Sequence, residues 1–210
     1  SYARANKEPN RNDFESNATA VTHEELNDFE LGWRHQSERL QLNANLYYMR
    51  YNNQLVLTGA LDNVGEYLRE NVDKSYRLGL EVDANIALND EFSLNSNFAL
   101  SKNTVQDLLI DRDGALQNFG DTNIAFSPNV ISTNAIEYAP DAKFRTALIG
   151  KYVGEQYMSN TDNEASKLDS YFVADLNFSY TIDVKSVFNS IVFTGMVNNL
   201  LDLEYEDRGY

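Results

Sequence analysis

The sequence has 210 residues, in which 32 aspartates and glutamates outnumber 17 lysines and arginines, so that the net charge is −15. Nucleic-acid-binding proteins carry a basic surface, and this acidic balance argues against such a partner. The chain contains no cysteine, which excludes disulfide bonds, thiolate metal sites and cysteine nucleophiles. The sequence also lacks a run of about 18 apolar residues that would predict a transmembrane helix. Its first residues lack the apolar core of a signal peptide, so we expect the sequence to be a piece of a longer protein.

Residues 1–25 are predicted to be a polar loop or segment, because they combine Pro9 and several asparagines with charges of both signs. From Leu26 onward, apolar and polar residues alternate, as in a β-strand with one apolar and one polar face. The alternation is longest from Ser75 to Leu88, where every even position is apolar. Eight strands are predicted in this way, at about residues 26–34, 40–48, 75–88, 92–100, 129–138, 144–152, 172–180 and 191–197.

The connections between the predicted strands alternate strictly in length. Short polar turns are expected at about residues 36–39, 89–91, 139–142 and 183–189, and long connections at about residues 52–74, 102–128 and 154–169. A soluble β-sandwich has no reason to sort its loops in this way. Outer-membrane β-barrels do sort them, with tight turns on the periplasmic side and long loops outside.

Aromatic residues occur at both ends of the apolar face of these strands. One set lies next to the short turns: Phe92, Tyr138, Phe144 and Tyr180. The other set lies next to the long connections: Tyr48, Tyr76, Tyr152 and Phe172. An amphipathic ring is most stable at the level of the lipid headgroups, so the two sets predict two membrane–water interfaces. The residues between them would span roughly 20–25 Å, close to the apolar band of outer-membrane barrels.

Two predicted strands fit this pattern poorly. The strand at 129–138 places Ser132 and Asn134 on the apolar face, and the strand at 191–197 is apolar on both faces. The residues alone leave three architectures open. We favour a transmembrane β-barrel, and the alternatives are a self-contained eight-stranded structural or adhesive barrel and a soluble β-sandwich binding module.

The sequence offers little support for an enzyme or a metal site. His23 and His35 lie far apart and have no matching cluster of ligands. The acidic stretch around Asp107 and Asp111 lacks the spacing of a known calcium-binding loop. We therefore predict no enzymatic activity, no metal site and no cofactor. Three charged residues of the polar face are predicted to form ion pairs with neighbouring strands: Arg77, Glu81 and Asp83.

The last residues, VNNLLDLEYEDRGY from Val197 to Tyr210, resemble the segment before the final strand of TonB-dependent outer-membrane receptors. Further similar stretches occur at residues 30–59, 75–88 and 127–160. In that family a barrel of roughly 22 strands is closed by an N-terminal plug domain. The resemblance implies that residues 26–210 are the C-terminal part of an all-β, antiparallel up-and-down transmembrane β-barrel. The chain would supply about eight strands of this larger barrel, without the plug domain and the last strand.

The pattern is most similar to the iron-complex and siderophore branch of the family. This similarity implies an active transporter in the outer membrane of a Gram-negative bacterium, surrounded by outer-membrane lipid. Such a receptor binds an iron complex or another scarce nutrient. It imports its ligand with energy from a TonB-type coupler that acts through the plug region.

Ligand contacts would come from the long outer loops. Ferric siderophores are polar, often anionic and flat, so arginine and aromatic side chains are suitable partners. Five loop residues are candidates on this basis: Tyr67, Arg69, Arg112, Phe119 and Tyr157. Ordinary loop packing is the alternative for each of them.

Overall fold

The structure, a computed structural model, describes residues 1–16, 21–61, 65, 67–112, 115–184 and 189–207. These residues form β-strands almost throughout, in agreement with the period-two pattern of the sequence. A short helix, α1, spans Arg11–Ser16, and a single 3₁₀ turn spans Glu164–Ser166. Neither helix in the described part of the chain has the length and apolarity needed to cross a membrane.

The described residues form one large antiparallel sheet and a separate two-stranded sheet. In chain order the strands are β1 (Tyr2–Lys7), β2 (Glu24–Gln36), β3 (Leu40–Leu61), β4 (Tyr67–Ala87), β5 (Phe92–Arg112), β6 (Ala115–Asn123), β7 (Val130–Tyr138), β8 (Phe144–Val153), β9 (Gln156–Tyr157), β10 (Lys167–Leu168), β11 (Tyr171–Asp183) and β12 (Ser190–Val197). The large sheet has the order β1-β2-β3-β4-β5-β7-β8-β11-β12, and β6 pairs with β5 beside this path. All eight predicted strands are present, and the all-β antiparallel fold class is confirmed.

The pairing register separates two kinds of side chain onto two faces of the large sheet. Leu46 of β3 lies opposite Leu31 of β2 and Leu80 of β4. We call the side of the sheet that carries these three residues the apolar face. Asn45 of β3 lies opposite Glu81 of β4, and we call their side the polar face. Leu31 is 71% exposed, so the apolar face presents large hydrophobic side chains to its surroundings.

The two ends of the sheet also differ. Short turns join β2 to β3, β4 to β5, and β7 to β8, and β11 ends and β12 begins at the same edge. We call this edge the short-turn end. At the opposite edge, the long-loop end, β3 and β4 form a long hairpin, β5 continues into β6, and residues 154–170 connect β8 to β11. The predicted alternation of short and long connections therefore places all long segments at one end.

The strands at the long-loop end run farther than the sequence indicates. β3 and β4 extend into the predicted connection at 52–74, and β5 and β6 fill most of the predicted connection at 102–128. Alternation is lost there because Asn53 and Asp107 adopt positive φ angles of 53° and 47°. Residues 103–105 are also buried in succession. A sequence pattern based on one apolar face cannot detect strands of this kind.

The extended strands pack around a small hydrophobic cluster at the long-loop end. Five buried side chains form this cluster: Val56, Val72, Val105, Leu108 and Ile124. Two partly buried residues, Ile110 and Phe119, pack against it. The cluster joins the outer parts of β3, β4 and β5 to the segment after β6, so these extensions form one packed unit.

The expectation of a polar loop over residues 1–25 is wrong for its first residues. Tyr2–Lys7 forms β1, which pairs with β2 in antiparallel register. Polar side chains hold this pair, since Arg4 Nη2 lies 2.6 Å from Glu25 Oε2. The strand therefore lacks the alternating apolar residues from which a strand is predicted. With β1, nine strands of the described chain lie on the path of the sheet.

Candidate ligand-binding site at the long-loop end

A cavity of about 340 Å³ lies on the polar face toward the short-turn end, and the turns at that end are closed by their own side chains. Asp141 Oδ1 accepts hydrogen bonds from the backbone N–H groups of Lys143 at 2.7 Å and Phe144 at 2.9 Å. These two bonds, that of Phe144 first, hold the pKa of the Asp141 carboxyl below its ordinary value. We consider the long-loop end as the candidate site, because a cation of the polar face lies beside a cavity there.

Arg77 of β4 is a cation of the polar face at the long-loop end. Its Nη1 donates hydrogen bonds to Asn103 Oδ1 and to Ser127 Oγ, both at 3.1 Å. Asn103 is only 3% exposed, and its Nδ2 donates to Ser101 Oγ at 2.9 Å. A chain of neutral groups thus fixes the guanidinium in position without neutralising its charge.

A cavity of about 360 Å³ opens beside Arg77. Its lining comes from four neighbouring strands and consists of Ala5, Asn6, Lys7, Glu24, Leu26, Tyr51, Gln54 and Arg77. Lys7 Nζ lies 3.1 Å from Glu24 Oε1, so these two charges offset each other. The cavity therefore combines a preoriented guanidinium with a phenol and an amide, which suits a polar group of a ligand.

The loop between β8 and β11 folds onto this end of the sheet and is anchored by Asn160. This side chain is 3% exposed. Its Nδ2 donates a hydrogen bond to the carbonyl oxygen of Leu57 in β3, and its Oδ1 accepts one from the backbone N–H of Ala125 at 2.8 Å. Asp162 reinforces the contact by accepting from the backbone N–H of Asn123 at 3.0 Å. We call these contacts of Asn160 and Asp162 the loop clasp.

The residues predicted to contact a ligand have separate surroundings. Arg69 Nη1 lies 3.5 Å from Asp13 Oδ1, and Phe119 packs against the hydrophobic cluster. The backbones of Tyr67 and Arg112 belong to β4 and β5, whereas their side chains lie outside the described residues. Ligand contact by these residues therefore stays a prediction.

Tyr157, the remaining candidate, belongs to a charged network within its own loop. Its hydroxyl donates to Glu164 Oε1 at 3.0 Å, and Lys167 Nζ lies 2.7 Å from Glu164 Oε2. The ammonium of Lys167 and then the hydroxyl of Tyr157 hold the pKa of Glu164 below its ordinary value. The Glu164 carboxylate in turn raises the pKa of Tyr157 and of Lys167. Because these groups are exposed to solvent, the network orients the loop and adds little stability.

The ion pairs predicted for the polar face are not formed. Among the described residues, none of Arg77, Glu81 and Asp83 lies within ion-pair distance of an opposite charge. Arg77 donates to Asn103, and Asp83 Oδ1 accepts from Nδ2 of Asn97 on β5. Asparagine amides occupy the positions where counter-charges were expected, because an amide can serve either charge as a partner.

The aromatic residues predicted for two membrane interfaces lie on the apolar face in two rows. One row is at the short-turn end: Phe92, Tyr138, Phe144 and Tyr180. The other is at the long-loop end: Tyr48, Tyr76, Tyr152 and Phe172. Rings within a row contact each other, as in the pair Phe92–Tyr138 with centroids 4.6 Å apart. Contact of these rows with lipid headgroups stays a prediction.

The two polar residues on the apolar face of β7, Ser132 and Asn134, form hydrogen bonds with each other and with Ser96 of β5. Ser96 Oγ donates to Asn134 Oδ1 at 2.6 Å, and Asn134 Nδ2 donates to Ser132 Oγ at 2.8 Å. Mutual hydrogen bonds lower the cost of placing such groups on an apolar surface.

The described residues contain no group of three His, Cys, Asp or Glu side chains that could hold a metal ion.

Sequence reasoning missed Asn103, Ser127 and Asn160, which position the candidate site. Asparagine and serine are frequent throughout this chain, so nothing in the sequence distinguishes these residues from others of their kind. Their role depends on neighbours that are distant in sequence, as in the bond that joins Asn160 to Leu57.

Comparisons with known proteins identify one family and several solved structures with a similar fold. The family described as "TonB dependent receptor-like, beta-barrel" matches residues 1–200. No curated protein sequence matches the chain. The ferric yersiniabactin uptake receptor FyuA from Yersinia pestis has a similar structure, with a TM-score of 0.73 and 16% identity, over 100% of this chain and 30% of that protein.

Two further solved structures are similar to the same extent. The siderophore receptor PiuA from Acinetobacter baumannii has a TM-score of 0.72 and 20% identity, over 98% of this chain and 30% of that protein. The copper transporter OprC has a TM-score of 0.72 and 15% identity, over 96% of this chain and 30% of that protein. The chain thus spans about 30% of the length of each of these proteins.

Proposed function

Because the chain belongs to the TonB-dependent receptor-like β-barrel family, we propose that it forms part of the wall of a transporter that imports an iron complex. The resemblance drawn from the sequence is confirmed by this family match over residues 1–200. Proteins of the family lie in the outer membrane of Gram-negative bacteria, and this is the location of the chain. The family consists of transport receptors, and we expect the chain to have no enzymatic activity.

The proposed architecture is the C-terminal part of a larger barrel. Within the described residues, β1 and β12 are the outer strands of the sheet, and each pairs with one other strand on the path. Such free edges favour further strand pairing. We expect additional strands, and a plug domain, to complete the barrel around the polar face. The part of the wall that this chain supplies would include β1, because this strand continues the sheet beyond the predicted start at residue 26.

The proposed mechanism assigns a role to each face of the sheet. The apolar face would contact lipid between its two aromatic rows, and the polar face would line the interior. A ligand would bind at the long-loop end and pass the polar face when a TonB-type coupler moves the plug. The observation that carries this proposal is the Arg77 cavity on the polar face at the long-loop end. One structural neighbour described as a ferric yersiniabactin uptake receptor and one described as a siderophore receptor support an iron complex as the ligand.

Uptake of radioactive iron by whole cells tests the function. We expect cells that lack the gene for the protein containing this chain to accumulate less ⁵⁵Fe from complexed iron than the parent strain, and a plasmid copy to restore uptake. A proton ionophore should abolish the difference, because transport is energised from the inner membrane. Equal accumulation of iron in both strains, with reduced accumulation of copper in the mutant, would replace iron by copper as the proposed cargo.

A further inference from the structure

We infer that three cations on the apolar face at the long-loop end, Arg50, Lys74 and Lys102, bind the phosphate groups of a membrane lipid. We call these three residues the cation cluster. The inference rests on the proposed function in one respect, since it takes the apolar face to be the side of the wall that meets lipid. It does not depend on which ligand the transporter imports.

The cation cluster lies around the aromatic row of the long-loop end. Arg50 comes two residues after Tyr48 on β3, and Lys74 comes two residues before Tyr76 on β4, so both cations share the face of these rings and lie nearer to the loops. Arg50 is directly opposite Tyr76 in the pairing register, and Lys102 of β5 is a diagonal neighbour of the same ring. Three adjacent strands thus each contribute one positive charge around Tyr76.

The cluster is at the depth where lipid headgroups would lie. Amphipathic rings are most stable between the apolar and the headgroup layers, and the rings of Tyr48 and Tyr76 have centroids 6.1 Å apart. A charged side chain is costly in the middle of the apolar band and costs little at its edge. Lysine and arginine can cover apolar surface with their methylene groups while their charges reach the headgroup layer.

The charges of the cation cluster are not neutralised by the protein. All three side chains are exposed. In the part of the chain that the structure describes, none of them lies within ion-pair distance of a carboxylate. Glu25 is on the same face, but its carboxylate lies 2.6 Å from Arg4 Nη2 and is occupied by that guanidinium. Unpaired cations of this kind retain their attraction for an anion outside the protein.

The aromatic row at the short-turn end provides a contrast. Lys143 comes directly before Phe144 of that row, and its Nζ lies 2.9 Å from Asp183 Oδ2. This cation is therefore paired within the protein, although the chain as a whole carries a net charge of −15. An acidic protein that leaves three cations unpaired beside one aromatic row is complementary to an anionic lipid in the leaflet at that end.

Phosphate is the anionic group that fits the cluster. Arginine binds phosphate oxygens with a fork of N–H groups, and lysine binds them as a point charge. Arg50 and Lys102 lie on β3 and β5, two strand spacings or about 10 Å apart, with Lys74 on the strand between them. The cluster can therefore contact a headgroup that carries more than one phosphate.

A lipid fits this surface better than a soluble anion does. Leu78 and Leu100 lie next to the cluster on the apolar face and are 42% and 47% exposed. Acyl chains attached to the phosphorylated headgroup would cover these side chains. A free phosphate ion would leave them uncovered.

Native mass spectrometry of the complete receptor in detergent tests the inference. The probe is lipid A with two phosphates, and the control lipid is the same molecule after removal of both phosphates. Titration gives the dissociation constant of each lipid for the wild type and for two charge-matched double variants. Arg50→Gln/Lys102→Gln removes one arginine and one lysine from the cation cluster. Arg34→Gln/Lys151→Gln removes one arginine and one lysine from the polar face.

Arg34 and Lys151 are suitable controls because they are exposed and lie opposite Asn43 and Thr133 on the polar face. Like the cation cluster, they form no ion pair with a described residue. The two double variants therefore change the net charge equally and differ only in the face that they alter.

We expect the wild type to prefer the phosphorylated lipid. Arg50→Gln/Lys102→Gln should bind this lipid about 10- to 30-fold more weakly than the wild type, since each basic residue near an anionic lipid contributes about fivefold. Its affinity for the dephosphorylated lipid should be unchanged. The variant Arg50→Lys/Lys102→Arg keeps both charges and should retain most of the affinity. Arg34→Gln/Lys151→Gln should bind both lipids like the wild type.

Three results would overturn the inference. They are equal affinity of the wild type for the two lipids, equal affinity of the wild type and Arg50→Gln/Lys102→Gln for the phosphorylated lipid, and an equal loss in both double variants. Displacement of the lipid by an equal concentration of inorganic phosphate would replace the lipid by a soluble anion as the ligand.

The measurement is independent of the transported cargo. Selective binding of the phosphorylated lipid by a receptor that does not import iron supports the cation cluster and contradicts the proposed function. Iron uptake by a receptor that does not distinguish the two lipids contradicts the cation cluster alone.

Discussion

The loop clasp provides the sharpest test of how the long-loop end is held together. Asn160 is 3% exposed, and its side chain joins the carbonyl oxygen of Leu57 to the backbone N–H of Ala125. Replacement Asn160→Leu keeps the volume of the side chain but leaves both backbone groups buried without a partner. Each unsatisfied group costs about 1–3 kcal/mol. With partial relaxation we expect a loss of about 2–4 kcal/mol in the free energy of local opening.

Hydrogen exchange followed by mass spectrometry measures this loss. A change of about 2–4 kcal/mol corresponds to roughly 30- to 1,000-fold faster exchange, since about 1.4 kcal/mol is one factor of ten. The faster exchange should occur in the end of β3 and in residues 123–126, which the clasp holds. Amides in the middle of β3 should exchange as in the wild type, because the sheet there does not depend on the clasp.

A control in the same loop distinguishes the clasp from general loosening. Asn163 Oδ1 accepts a hydrogen bond from the backbone N–H of Ala165 at 3.0 Å and caps the 3₁₀ turn. Asn163→Ala should accelerate exchange only within its own turn. Unchanged exchange at residues 123–126 in Asn160→Leu would refute the clasp, and so would equal acceleration there by both variants.

Three further predictions concern the wall and the extended hairpins. Leu80→Arg places a charge on the apolar face and should lower the free energy of unfolding in lipid vesicles by about 2–4 kcal/mol, whereas Asn45→Arg on the polar face should be nearly neutral in the same urea titration. Gly79→Ala adds a methyl group that would overlap the ring of Tyr47. It should cost about 1–3 kcal/mol in that titration, and Tyr47→Ala in the same protein should relieve the cost. Burial raises the pKa of Glu70 above its ordinary value of 4.5, which means that the folded state favours the neutral carboxyl. The free energy of local opening of β4 should therefore be greatest below pH 4.5 and decline as the pH rises through the raised pKa. Protection factors of β4, which are exchange rates corrected for the intrinsic pH dependence of amide exchange, should decline over this range in the wild type and stay level in Glu70→Gln.

Each of these three predictions has a contradicting result. Equal costs for Leu80→Arg and Asn45→Arg would mean that the two faces have the same surroundings. An additive double variant of Gly79 and Tyr47 would show that the ring does not fill the space above the glycine. Greater protection of β4 at neutral than at acid pH would contradict the burial of Glu70.

The strands between the aromatic rows could be predicted from the sequence because a single requirement, an apolar side chain at every second position, applies along their whole length. A face that meets an apolar environment must be apolar at every second position, and Leu78, Leu80 and Val82 follow this rule without exception. The predicted and observed boundaries at the short-turn end agree closely for the same reason, as in β5, which begins at Phe92. The polar turns there are set by local residues such as Asp141, whose partners lie within three positions.

The strands at the long-loop end could not be predicted because their residues are held by different kinds of contact, some by packing in a cluster and others by polar pairing. Val105 and Leu108 pack in a cluster that combines four separate segments of the chain. The spacing of apolar residues within any one segment does not indicate this cluster. β1 depends on polar partners such as Glu25, which lies 21 positions from Arg4. From the sequence, the candidate site could be assigned only to the long loops, and ligand contact there stays a prediction. Its strongest feature, Arg77, was assigned to an ion pair because sequence does not show that asparagine and serine would face it.

The central claim is that one face of the sheet meets lipid and the other faces an aqueous interior. Site-directed spin labelling of β4 in the complete receptor, reconstituted in lipid, tests it most directly. The chain contains no cysteine, so single cysteines introduced at residues 78–83 provide unique labelling sites within it. We expect the even positions to be accessible to oxygen and the odd positions to a water-soluble nickel chelate, with a period of two. Accessibility to the nickel chelate at both even and odd positions would contradict the claim.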